Sequence, residues 1–93
     1  MKKPSQKPAL VPVVFTYTDP LANAVFIAGS FNEWKSDTAA LAQNVPGSWQ
    51  LELPLPPGRH EYLFVVDGTW VADPLARESC PNPHGGVNAV IQV

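Results

Sequence analysis

Trp49, Leu51, Leu53 and Leu55 alternate with Gln50, Glu52 and Pro54, and the run is closed on both sides by breakers, Pro46-Gly47 before it and Pro56-Pro57-Gly58 after it. A two-residue apolar period belongs to a strand with one buried face, because helical positions on one face recur every three to four residues instead. The pattern is repeated elsewhere. Val11, Val13, Phe15 and Tyr17 alternate with Pro12, Val14, Thr16 and Thr18, and Val87, Ala89, Ile91 and Val93 alternate with Asn88, Val90 and Gln92. Ala24 to Ala28 is a short apolar run of the kind buried on both faces, ended by Gly29. Arg59 to Val66 is rich in aromatic and β-branched residues, and Asp67-Gly68 is a dipeptide that favours a tight hairpin, with Thr69-Trp70-Val71 returning beside it. Pro54 places its strand at a sheet edge, since proline cannot donate to a ladder.

Turn signals every 8 to 12 residues and no long helical period predict an all-β domain, an immunoglobulin-like antiparallel β-sandwich of about six to eight short strands. One segment reads differently. Ser36-Asp37 before Thr38-Ala39-Ala40-Leu41-Ala42-Gln43 has the form of a capped helical turn, too short to be stable without tertiary support. With 93 residues there is room for one core, and at 45% hydrophobic the chain can fill it. Residues 1 to 10, with three lysines and two prolines, read as a flexible arm ahead of a domain over 11 to 93.

Charge excludes one class of partner. Lys2, Lys3 and Lys7 hold half of the six positive charges, so residues 8 to 93 carry 3 minus 8, or −5. Such a body repels phosphate backbones and has no basic patch for nucleic acid. No run approaches the ~18 apolar residues of a membrane span, and Pro4-Ser5-Gln6-Lys7-Pro8 stands where a signal peptide would need its apolar stretch. The lone Cys80 cannot form a disulfide within the chain, which suits a reducing compartment. A cytoplasmic location without membrane contact is the expectation.

Chemistry finds little purchase. The histidines are His60 and His84, and no Ser, Cys or Thr has the base and orienting group of a nucleophilic site. Cys80 and His84 supply two potential metal ligands where three or four are needed, and Asp67 and Asp73 sit in turns. No catalytic residue, metal or cofactor is expected.

The tryptophans say more. Trp49 lies on the apolar face of its strand and reads as core. Trp34, in Gly29-Ser30-Phe31-Asn32-Glu33-Trp34-Lys35, and Trp70, just beyond a hairpin turn, are harder to bury. Either the two rings close the ends of the sandwich, or they form a platform for the apolar face of a sugar. A stacked contact removing on the order of 50 Å² from water is worth roughly 1 kcal/mol, which yields micromolar to millimolar affinity at best.

Four stretches together carry a resemblance: Val25 to Trp34, Trp49 to Tyr62, Phe64 to Trp70, and Gly86-Val87-Asn88. Over residues 12 to 93 the chain resembles carbohydrate-binding module family 48, which includes the glycogen-binding domain of the AMP-activated protein kinase β subunit and the N-terminal early-set domains of isoamylases and branching enzymes. The resemblance implies an early-set sandwich that binds α-1,4-linked glucose chains (glycogen or starch) and catalyses nothing. It implies that Trp34 and Trp70 are the stacking rings, that Asn88 hydrogen-bonds glucose hydroxyls, and that Thr38 to Gln43 is strand rather than helix. Departures thin the polar contacts. Leu63 stands where the glycogen binders carry a lysine, Gly86 where the kinase-type domain has a threonine, and His84 where it has a leucine. Lys35, beside Trp34, is the candidate to take over part of the missing lysine's role. The alternative is a module that docks on a carbohydrate-active enzyme or kinase and has lost its sugar site.

Overall fold

The computed structural model describes residues 9–93, and eight strands run through them: β1 (Val11–Thr18), β2 (Val25–Gly29), β3 (Ala42–Val45), β4 (Ser48–Leu55), β5 (Arg59–Val66), β6 (Thr69–Val71), β7 (Glu78–Pro81) and β8 (Val87–Gln92). The expected N-terminal arm lies, for residues 1–8, outside the described residues. All the pairings are antiparallel. One sheet has the order β1-β4-β3, and the other the order β2-β5-β8-β7 with β6 also on β5. The all-β sandwich expected from the alternation is the observed architecture.

The two sheets meet through the faces the two-residue period predicts. Phe15, Trp49 and Leu55 come from the first sheet; Val25, Ile27, Tyr62, Phe64, Val66 and Ala89 come from the second. Aromatic rings join them. Phe15 meets the Tyr62 ring edge-on with centroids 5.0 Å apart, and Tyr17 lies 5.0 Å from Phe64. Such pairs contribute about 0.5–1.5 kcal/mol each beyond the area they bury. Trp49 is 5% exposed and its indole N–H donates to the Asp19 carbonyl at 3.1 Å, so the largest side chain in the core leaves no buried polar atom unmatched.

Two expectations need correction. Strand β4 is the central strand of its sheet, not an edge. Pro54 is tolerated because β3 flanks only Ser48 to Gln50, so the β3 side of β4 has no neighbour at Pro54, which faces Pro12 across β1. The helical reading of Thr38 to Gln43 also fails, and the strand implied by the resemblance is displaced. Ala39 and Leu41 exchange backbone bonds with Ile27 and Val25 at 3.0 and 2.8 Å, Ala40 bridges Phe26, and only from Ala42 does the chain cross to pair with β4. Leu41, 5% exposed, is buried by this extended crossing. Strand β7 had no signal of its own, since Glu78-Ser79-Cys80-Pro81 carries no apolar alternation.

Gly29 marks the tightest point. A Cβ there would lie 2.5 Å from the Glu61 carbonyl oxygen and 2.7 Å from the Phe31 ring. Gly29→Ala therefore forces β2 away from β5, with an expected loss of about 1–3 kcal/mol, the usual range for overpacking. Urea unfolding of the variant checks this; a midpoint equal to wild type would contradict the close approach.

Candidate functional site

Strand β5 changes partners midway. Arg59 to Tyr62 pair with β8, whereas Phe64 to Val66 pair with β6, and Leu63 falls at the seam. Alternation turns Tyr62, Phe64 and Val66 to the core and Glu61, Leu63 and Val65 to the outer face of the sheet. A cleft of about 900 Å³ opens there, and its walls include Trp34, Glu61, Leu63, Trp70, Asn82 and Asn88. That is near the upper end of the volumes typical of ligand sites, ~300–1,000 Å³.

Trp34 reaches the cleft from the loop after β2, and its backbone is held in an uncommon shape. Glu33 and Trp34 both have φ of 59°, in the left-handed region that costs most residues about 1 kcal/mol or more. Asn32 holds the turn. Its carbonyl oxygen accepts from the Gly29 amide at 2.9 Å, while its amide donates to the Ile27 carbonyl at 3.2 Å and the Thr38 hydroxyl at 3.3 Å. Phe31 packs on the core against Phe15, with centroids 6.0 Å apart, and so ties the loop to the sandwich.

Trp70 enters the cleft from β6. The Asp67-Gly68 turn has positive φ at both positions, 48° and 84°, the form that suits a two-residue hairpin. Asp67 also accepts from the amides of Asn23 and Ala24 at 3.0 and 2.9 Å, so the hairpin is fastened to the loop before β2. Beyond Ala72, the Tyr62 hydroxyl donates to Asp73 at 2.6 Å, and burial, reinforced by that bond, holds the phenol neutral, well above its ordinary range. Trp70 itself is 46% exposed, so part of its ring is open to solvent.

A relay of side chains makes the third wall. The Asn88 amide donates to Glu61 at 3.1 Å, the Cys80 thiol donates to the same carboxylate oxygen at 3.1 Å, and Arg59 pairs with the other oxygen at 2.6 Å. Asn82 donates to the Asn88 carbonyl at 3.1 Å, and its own carbonyl accepts the His84 and Gly86 amides at 2.9 and 3.1 Å. Glu61 thus anchors Asn88, and through it the loop carrying His84 and Gly86. Asn88 is 7% exposed, yet an amide can make four hydrogen bonds, so one donor and one acceptor position remain after Glu61 and Asn82 are served.

Of the residues singled out from the sequence, Trp34, Trp70, Asn88, Leu63, His84 and Gly86 all line this cleft. Lys35 does not. It lies outside the lining residues and pairs with Glu33 at 3.4 Å. Glu61 and Asn82 were missed, because their importance comes from bonds across strands and from loop closure that no sequence spacing reveals. Among the described residues no group of three or more His, Cys, Asp or Glu is arranged to hold a metal, and no helix is long and apolar enough to cross a membrane.

The Asn88 and Arg59 hydrogen bonds, with a further one from Cys80, hold the Glu61 carboxyl at about 2, below its ordinary 4.5. A depressed folded-state value contributes stability above pH 4.5 that is lost as pH falls toward 2. Between those limits, wild-type stability is expected to fall more steeply than that of Glu61→Gln, measured by urea unfolding at a series of pH values. Parallel curves would show that the relay does not select the charged carboxylate.

An all-β sandwich with an aromatic-walled cleft on one sheet has the form of a carbohydrate-binding module. A family model described as the glycogen recognition site of AMP-activated protein kinase matches residues 11–93, and the chain belongs to that family of non-catalytic recognition domains. The 5'-AMP-activated protein kinase subunit beta-1 of Rattus norvegicus is 38% identical over 82 residues, and that of Homo sapiens 37% over 82; each alignment covers 88% of this chain. The rice protein FLOURY ENDOSPERM 6, chloroplastic, is 38% identical over 72 residues, or 77% of this chain. The chain spans 28% of the two kinase subunits and 13% of the rice protein. Since one relative is named as chloroplastic, a cytoplasmic location does not follow from the family.

Proposed function

We propose that this domain binds α-1,4-linked glucan chains, glycogen or starch-like, by stacking glucose rings on Trp34 and Trp70 while Asn88 fixes their orientation. The carrying observation is that two tryptophans, one from the loop after β2 and one from β6, and an asparagine with spare hydrogen-bonding capacity line one cleft. The family, described by its glycogen recognition site, supplies the ligand class.

The division of labour follows from the chemistry of the surfaces. A glucose ring has an apolar face of C–H groups and a polar edge of hydroxyls. Trp34 and Trp70 offer flat apolar area, and Leu63 between the walls adds apolar floor but no donor. The hydroxyls meet Asn88 and Asn82, both already fixed by the Glu61 relay, so little ordering is left to be done on binding. With no lysine at the floor, affinity rests mostly on stacking, roughly 1 kcal/mol for each ~50 Å² covered. His84 and Gly86 shape the wall, and Gly86 brings no hydroxyl to it.

A second reading follows from the relatives, which include kinase β subunits far longer than this chain. In it the domain tethers a kinase or another carbohydrate-handling enzyme to the glucan. It adds a partner to the glucan site without replacing it.

Trp34→Ala and Trp70→Ala are each expected to weaken retention in native gels containing glycogen by about fivefold to tenfold, the loss of roughly 1 kcal/mol or slightly more. The double variant should migrate as it does in gels without glycogen. Retention equal to wild type by the double variant, shown to be folded by circular dichroism, would overturn the stacking site.

A further inference from the structure

The charge of the cleft bears on which glucans it can accept. Among the described residues lining it, Glu61 is the one carboxylate, and there is no lysine or arginine. Arg59 pairs with one Glu61 oxygen but does not line the cleft, so the oxygen facing Asn88 and Cys80 presents the negative end of that pair. Residues 8 to 93 sum to 3 minus 8, or −5, and the whole chain to −2.

A phosphate monoester on a sugar carries about −1.5 to −2 at neutral pH and is recognised by Arg or Lys, or by backbone amides turned toward it. Among the described residues that line the cleft, neither is on offer. The His84 and Gly86 amides, which could form such a cradle in their loop, already donate to Asn82 at 2.9 and 3.1 Å. Besides the His84 imidazole, the side-chain donors in this wall belong to Asn82 and Asn88, enough for neutral hydroxyls. Leu63 contributes no hydrogen bond where a cation would be needed.

We propose that the cleft is selective for uncharged α-glucan and rejects chains carrying phosphate monoesters, with Glu61 and Leu63 as the determinants. This rests on the glucan reading given above and extends it to the class of chain admitted. Such a module discriminates between plain and phosphorylated glucan before any enzyme acts.

The test is isothermal titration of the full chain with maltoheptaose and with maltoheptaose bearing glucose 6-phosphate units, at about 10 mM and about 1 M salt, where screening lengths are ~30 Å and ~3 Å. The phosphorylated chain is expected to bind about tenfold more weakly at low salt, the size of a repulsion between close charges in a wet cleft, and the gap should narrow at high salt. Leu63→Lys should narrow the low-salt gap as well, with folding checked by circular dichroism. Equal or tighter binding of the phosphorylated chain would overturn the proposal, as would a gap that salt leaves unchanged, which would mean steric exclusion. Binding of neither sugar would overturn the glucan reading and this inference with it, whereas binding of maltoheptaose together with equal binding of its phosphorylated form defeats the selectivity alone.

Discussion

Strand β5 is held by β2 along one side and by β8 and then β6 along the other, and its alternation serves both halves of the molecule. Tyr62, Phe64 and Val66 fill the core, while Glu61 and Leu63 stand in the cleft. Core and site are therefore joined by single peptide bonds. A shift of one residue in register would turn Glu61 into the core and expose Phe64, so the burial that stabilises the sandwich also keeps the site residues facing outward. The change of partner at Leu63 is what makes a concavity on an otherwise continuous sheet. Where β8 and β6 part, the start of β8 with the loop before it lines one side, and β6 with Ala72 after it lines another.

Each wall is braced separately. Asn32 holds the Trp34 loop in its left-handed turn, Asp67 and Asp73 fasten the segments on either side of Trp70, and Glu61 with Asn88 and Asn82 fixes the third loop. These are polar side chains acting on backbone or on each other, each supported by an element in the core. Among the described residues, no buried side-chain nitrogen or oxygen lacks a partner. A cleft so braced can present flat rings without paying a large ordering cost when a sugar arrives. The bracing also gives the Glu61 carboxylate a structural role: it holds Asn88 in place.

Much of the fold was legible because alternation is a direct imprint of a sheet with one buried face. Val11 to Thr18, Trp49 to Leu55 and Val87 to Gln92 show it plainly, and the Asp67-Gly68 turn follows from backbone preference alone. Other parts were set by tertiary contacts. Thr38 to Gln43 has good helical residues, yet Leu41 is buried by crossing from one sheet to the other in extended form, and local propensity cannot oppose that burial. Pro54 read as an edge because sequence does not reveal that the neighbouring strand is short. In the cleft, Trp34, Trp70 and Asn88 were found through motif resemblance, whereas Glu61 and Asn82 acquire their roles from partners 27 and 6 residues away. Lys35 looked apt by adjacency to Trp34, but it lies outside the cleft lining and bonds to Glu33 instead.

The central claim is that two of the three tryptophans, Trp34 and Trp70, meet α-linked glucose directly, with Trp49 sealed in the core. Intrinsic tryptophan fluorescence during titration with maltoheptaose tests it most directly, with a β-linked glucose oligomer of the same length as control. Stacking on the two cleft rings predicts a saturable change with the α-linked sugar and none with the β-linked one. An unchanged spectrum up to millimolar maltoheptaose, in folded protein, would contradict it.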